Sequence, residues 1–359
     1  MRSVRKAGLA LSSAARHRGG MNLLATLLAA AFSTSLAAAA PAPPSPADIA
    51  AAAPAGAWRT VAPENLMLVE TPRGTMAIEM APDFAPAHIA AIRALVAAGR
   101  FDGGAITRVQ DNYVVQWAAR PGPDKVLASG GAAAVAADGA AAGAADGAAA
   151  VAARSAATVA AGSTATPGGV AVGTGPGAAH PALLPAEYER SARGLKIVRL
   201  GSNDTYARSG FWNGWPVAQD RKTNTAWLAH CYASVGVGRD DPPDTGDGSE
   251  LYAVIGHGPR HLDRNITTVG RVIDGIADFS ALPRGTGPLG FYKTPAEQTV
   301  ITRVRFAGVG DPRFEVLDSD SPAFAAYLKA RANRTGFFIR PAGATDLCNV
   351  QVPVRRVTK

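Results

Sequence analysis

Residues 66 to 80, LMLVETPRGTMAIEM, decide the fold class. The first five, LMLVE, open with four apolar residues and read as a strand. Thr71-Pro72-Arg73-Gly74 puts proline and glycine where a tight turn needs them, and residues 75–80 alternate on a period of two. Two strands joined by a turn are predicted. Further along, Pro82 and Pro86 break the alternation and introduce a helix over 87–98. There Ile89, Ile92, Leu95 and Val96 recur at helical spacing, and Gly99 supplies the stop. Asp102-Gly103-Gly104 turns the chain into short strands at 106–109 and 113–116.

The second half reads the same way. Strands are predicted at 195–200, 251–255, 269–273 and 299–306, with a short helix over 275–282 that ends before Pro283. A helix follows from Pro322 to about Asn333 with Ser321 as its N-cap, then a final strand at 337–340 after Gly336. Many short strands and few helices predict a mainly β chain, either a barrel or a sandwich. Between the halves the composition collapses. From Ala128 to Ala179 the chain is mostly Ala and Gly, and only Asp138, Asp146 and Arg154 are charged. With almost nothing large to bury, 128–184 is expected to be a disordered low-complexity insertion.

The chain has 359 residues and is 47% hydrophobic, but much of that share is alanine, which buries little surface. The formal charge is +8. Five positive charges, Arg2, Arg5, Lys6, Arg16 and Arg18, lie in the first forty residues, which hold no Asp or Glu, so the remainder carries +3. That near balance gives no support to a nucleic-acid partner. The basic start, the apolar stretch 23–36 and the small residues 37–40 read as a signal peptide over 1–40, cleaved near Ala38-Ala40. Met21 is an alternative start, and an uncleaved membrane anchor is the other reading. Residues 41–65, rich in Ala and Pro, read as a tether with nothing to pack. No later apolar run is long enough to span a bilayer. Export gives Cys231 and Cys348 an oxidising space, where a disulfide is expected and two free thiols are the alternative. The bridge would dock a C-terminal extension, 311–359, onto the body.

Five pieces, taken in order, carry a resemblance. They are ETPRGTMAIEM (70–80), APDFAPAHIAAIRALVAAGRFDGG (81–104), ITRVQDNYVVQ (106–116), GDGSELYAVIG (246–256) and HLDRNITTVGRV (261–272). The third stands where the cyclophilin family of peptidyl-prolyl isomerases has Phe-His-Arg, two apolar residues, a turn and Phe-Met-x-Gln. The fourth stands for Asn-Gly-Ser-Gln-Phe-Phe-Ile, and the fifth for Trp-Leu-Asp followed by Phe-Gly-x-Val. The chain resembles an exported bacterial branch of that family over 66–120 and 186–310, so 66–127 and 185–310 are expected to be two parts of one domain. The resemblance implies a closed eight-stranded antiparallel barrel capped by two helices. It also implies a periplasmic monomer whose partners are proline-containing unfolded or extended polypeptides.

The chemistry such an enzyme needs is modest. Rotation about a peptide bond crosses a barrier of ~18–20 kcal/mol, set by amide resonance, and uncatalysed prolyl exchange takes tens of seconds or more. In the twisted state the proline nitrogen regains its lone pair. A donor aimed at that nitrogen binds the twisted state better than either planar one and lowers the barrier. A guanidinium suits this, being permanently charged, planar and forked. No nucleophile, metal or cofactor is required. The resemblance implies Arg108 as the catalytic arginine and Gln116 as the glutamine that grips substrate backbone. Tyr113, Val114, Tyr252 and Leu262 would form the proline pocket, with Glu250 and His261 at its rim. Thr107, Glu250, His261 and Ile266 depart from the family pattern, as does Trp117, which is expected at the pocket edge. These departures support a second reading, a catalytically weak or inactive peptide-binding module or folding helper.

Other signals carry less. Gly285 to Gly290 matches GxGxxG by letter, but it follows Pro283-Arg284 rather than a strand and reads as a turn-rich loop. His257 and His261 are separated by Gly258-Pro259, which denies them a shared helix face for a metal. Asp240, Asp241, Asp244, Asp247 and Glu250 lack calcium-loop spacing and read as a solvated loop.

Overall fold

Strands Leu66–Thr71 and Gly74–Met80 pair antiparallel out to Thr71 opposite Gly74, so Pro72 and Arg73 alone make the turn. Met67, Val69, Met76, Ile78 and Met80 enter the main core. Leu66, Leu68 and Ala77 pack on the other side against Phe314 and Val316. Both faces are covered, which is why 66–69 is an unbroken apolar run rather than an alternation. The computed structural model describes residues 43–120, 183–202 and 204–357. The signal-peptide reading of 1–40 and the insertion reading, up to residue 182, lie outside the described residues.

The hairpin belongs to a curled nine-stranded sheet. From edge to edge its strands are 299–300, 105–109, 114–118, 250–254, 234–237, 268–274, 74–80, 66–71 and 303–306. Its hydrogen-bonded order is open, where a closed sheet of eight strands was expected. The count rises to nine because the expected strand 299–306 divides. Thr299–Val300 pairs with 105–109 at one edge, and Arg303–Phe306 pairs with 66–71 at the other. Between them the N–H of Ile301 donates to Gly104 O and that of Thr302 to Glu70 O, each at 2.8 Å. Helix Pro86–Ala97 lays Ile89 and Ile92 on the core, and helix Ile276–Ser280 adds Phe279.

Two further sheets were not foreseen. A five-stranded sheet orders 190–191, 225–228, 215–220, 208–212 and 198–199. Its central hairpin turns at Asn213-Gly214, both with positive φ (48° and 77°), the backbone that an Asn-Gly pair favours. A three-stranded sheet joins Trp58–Thr60, Arg313–Leu317 and Val354–Val357. It corrects the tether reading of 41–65. Ser45 caps helix Pro46–Ala51, and Ala53 and Ala57 are buried with Phe324, Tyr327, Leu347 and Val350. The few large residues of this Ala/Pro stretch suffice because the extension supplies the rest of the cluster. Helix Pro322–Ala332 forms as predicted, with the Ser321 hydroxyl accepting from the Phe324 N–H. The predicted strand 337–340 is absent. Phe337 and Ile339 are almost fully exposed there, and the last strand is Val354–Val357. Cys231 and Cys348 are bonded across a sequence separation of 117.

Candidate functional site

Register brings the implied residues together. Arg108 lies opposite Gln116, Gln116 opposite Tyr252, and Tyr252 opposite Gly236. Directly opposed residues in antiparallel strands share a face, so Arg108, Gln116 and Tyr252 form one row across three strands. Val114 and Val254 are also opposed, two residues along their strands, and lie on that face. The intervening Val115, Trp117, Leu251 and Ala253 face the other way, into the main core. Trp117 is fully buried there, which corrects the expectation that it crowds the pocket edge.

Arg108 is only 5% exposed, with its guanidinium held on every side. Nε donates to Leu289 O at 2.7 Å, one terminal nitrogen to Gln116 Oε1 at 3.2 Å, and the other to Gln110 Oε1. The rings of Tyr113 and Phe291 lie 5.3 and 5.1 Å from its central carbon, within cation–π range. Leu289 has φ 57°, an uncommon backbone for a side-chain-bearing residue, and it presents its carbonyl from the Gly285–Gly290 loop. That glycine-rich loop thus closes over the arginine. Gln116 is fixed from both ends, since its Nε2 donates to Glu250 Oε1 at 2.5 Å.

Beside the guanidinium lies an apolar floor of Val114, Tyr252 and Val254, with Tyr113 and Ile266 packed against it. Tyr252 fits because its opposite residue is glycine. A Cβ on Gly236 would sit 2.2 Å from the Tyr252 hydroxyl oxygen. The hydroxyl passes over Gly236 to His230 Nε2 at 3.0 Å, and the Thr268 hydroxyl reaches the same nitrogen at 3.3 Å. His230 Nδ1 meets Asp263 Oδ1 at 3.1 Å. Asp263 also accepts from Trp227 Nε1 (3.1 Å) and Arg260 Nε (2.6 Å), and Arg260 pairs with Asp204 at 2.9 Å. A carboxylate has only acceptors, so Nδ1 is the ring nitrogen that donates to it. Burial alone would raise the Asp263 carboxyl, but hydrogen bonds and charge from His230 and Arg260 hold it below its ordinary range. Burial pushes the Tyr252 hydroxyl well above the usual phenol range. It raises Tyr113 too, against the opposing Arg108 charge.

The family model for cyclophilin type peptidyl-prolyl cis-trans isomerase/CLD matches residues 66–306, well over half of the chain. The chain belongs to that family. Cyclophilin AquaCyp293 from Hirschia baltica is similar in fold, with a TM-score of 0.56 over 83% of this chain and 93% of that one, at 22% identity. Probable peptidyl-prolyl cis-trans isomerases of Brucella suis biovar 1 and Brucella abortus are 39% identical over 54 residues, 15% of this chain. That match spans 28% of the length of these relatives.

Within this cyclophilin two implied pocket residues sit differently from the row. Leu262 is buried on the turn Arg260–Leu262, outside the floor cluster, while Ile266, whose N–H donates to Leu262 O at 3.3 Å, packs on the floor. His261 is exposed on the same turn, its carbonyl accepting from Asn265 Nδ2 at 3.2 Å. Phe291, Gln110, His230 and Asp263 were not foreseen. Phe291 directly follows the glycine-rich loop and bridges to Arg108; that loop was the available signal.

Proposed function

We propose that this cyclophilin is a peptidyl-prolyl cis-trans isomerase acting on X–Pro bonds of exported, proline-containing polypeptides in the periplasm. The row Arg108–Gln116–Tyr252 beside an apolar floor carries the reading. The proline ring rests on Val114 and Tyr252, with Tyr113 at one side and Leu262 behind the adjoining turn. Gln116 takes the neighbouring backbone amide. Arg108 donates to the nitrogen lone pair that appears as the amide twists, and stabilises that state over both planar ones. Gln110 lies on the turn between the two strands, so its side chain is the arginine partner that an incoming substrate displaces. The predicted leader supports the choice of compartment.

A coupled proline-isomerisation assay on the full chain tests this. Arg108→Ala should lower kcat/KM by about 10²–10³, the usual loss for one preorganised donor. Equal rates for the two proteins would end the assignment. The second reading, a peptide-binding module with little turnover, draws on the hold of Glu250 on Gln116. Prolyl peptide binding without acceleration would favour it.

A further inference from the structure

The loop Arg334-Thr335-Gly336-Phe337-Phe338-Ile339-Arg340 follows the C-terminal helix. Phe337 is 92% exposed, Phe338 42% and Ile339 95%. Other exposed large apolar side chains among the described residues, such as Val309 and Tyr206, are scattered singly, which is ordinary for a protein surface. Three in succession are not. A contiguous exposed apolar patch marks a contact surface.

The surroundings select the kind of contact. Residues 321–345 carry Lys329, Arg331, Arg334 and Arg340 and no Asp or Glu. The guanidinium of Arg334 lies 5.4 Å from the Phe338 ring, and the rings of Phe337 and Phe338 meet edge to face at 5.6 Å. Aromatic and aliphatic side chains flanked by cations match a lipid interface. The rings enter the acyl boundary while the arginine heads stay with anionic headgroups. Among the described residues no helix is long and apolar enough to cross a membrane.

We propose that the 334–340 loop is a membrane-docking site that inserts Phe337, Phe338 and Ile339 into the surface of an anionic lipid bilayer, with Arg334 and Arg340 on its headgroups. The test uses the full chain labelled with an environment-sensitive fluorophore at Thr335→Cys, mixed with phosphatidylglycerol or phosphatidylcholine vesicles. The label reads the loop itself, whatever the leader does. Phosphatidylglycerol should shift its emission to the blue, with half-saturation at least about tenfold lower in lipid than phosphatidylcholine, as expected when several cations contribute. Phe337→Ser with Ile339→Ser should abolish the shift, and Arg334→Gln with Arg340→Gln should remove most of the preference for anionic lipid. Phe337, Ile339 and Arg340 are exposed and Arg334 is half-buried, and an unchanged far-UV dichroism spectrum checks the folding of both variants. No shift with phosphatidylglycerol, or an equal response to both lipids, overturns the proposal. So does an equal response from a label at Thr223→Cys in a distant turn of the sequence. A shift without lipid that grows with protein concentration would assign the loop to a second copy of the chain instead.

Discussion

The two faces of strands 105–109, 114–118 and 250–254 are made by alternate residues of the same short segments, with a register shift between Ile106 and Arg108 that turns the arginine away from the core face, yet they are built on different principles. Ile106, Val115, Trp117, Leu251 and Ala253 form a face of packing alone. Arg108, Gln116 and Tyr252 form a face in which each polar group is held by a named neighbour. One-residue alternation lets a single backbone ladder serve both, and a one-residue slip would exchange them. Stability should therefore reside in one set of positions and prolyl chemistry in the other.

Trp117→Ala is the largest way to strain that division. It should cost about 3–5 kcal/mol of unfolding free energy in a denaturant titration, while molecules still folded keep their isomerase rate. A lost rate with intact stability would contradict the separation of faces. Asp263→Asn attacks the polar face from behind and should cost a comparable ~3–5 kcal/mol, because Arg260 and His230 lose a buried partner. Its pH signature has a definite sign. Since the Asp263 carboxyl lies below its ordinary range in the folded protein, its contribution is full above the unfolded value of about 3.9 and is lost as pH falls through the lower folded value. The melting temperature of the parent protein should drop in that acid window, and the variant should lack that part of the drop. An identical acid profile would refute the assignment.

Tyr252→Phe is milder. It removes the bond to His230 and keeps the ring, so stability should fall by about 0.5–1.5 kcal/mol, with the change in kcat/KM remaining far smaller than for Arg108→Ala. A loss as large as that of the arginine variant would show that the hydroxyl, not the ring, matters. The smallest effect has the opposite sign. Gln110→Ala frees one guanidinium contact worth about 0.5–1.5 kcal/mol and should raise kcat/KM a few fold. A decrease would mean that Gln110 orients the arginine rather than competes for it.

The sequence made some of this legible and hid the rest for identifiable reasons. The 66–80 hairpin depends on local strands and a tight turn, which pattern reading captures, whereas the row through Arg108, Gln116 and Tyr252 was legible only through the family resemblance, because Tyr252 lies 136 residues beyond Gln116. The His230 network draws on residues 204, 230, 252, 260 and 263, and nothing in local spacing announces that they converge. The five-stranded sheet was missed although Trp212-Asn213-Gly214-Trp215 carries a strong hairpin signal. Average composition misjudged 41–65, because Trp58 and Ala57 act at single positions. Leu262 was assigned by its place in a motif, whereas the floor cluster takes Ile266, four residues further on.

The bond between Cys231 and Cys348 has a consequence for the order of assembly. Cys231 is the residue after His230, so the network behind Tyr252 is fastened to a position 117 residues further along the chain. A ribosome delivers that position after every strand of the row. The strands that carry the row can pair while synthesis continues, but their fastening waits for Cys348 to emerge and for the two thiols to be oxidised. The site is thus shaped by its own strands first and locked by the extension afterwards.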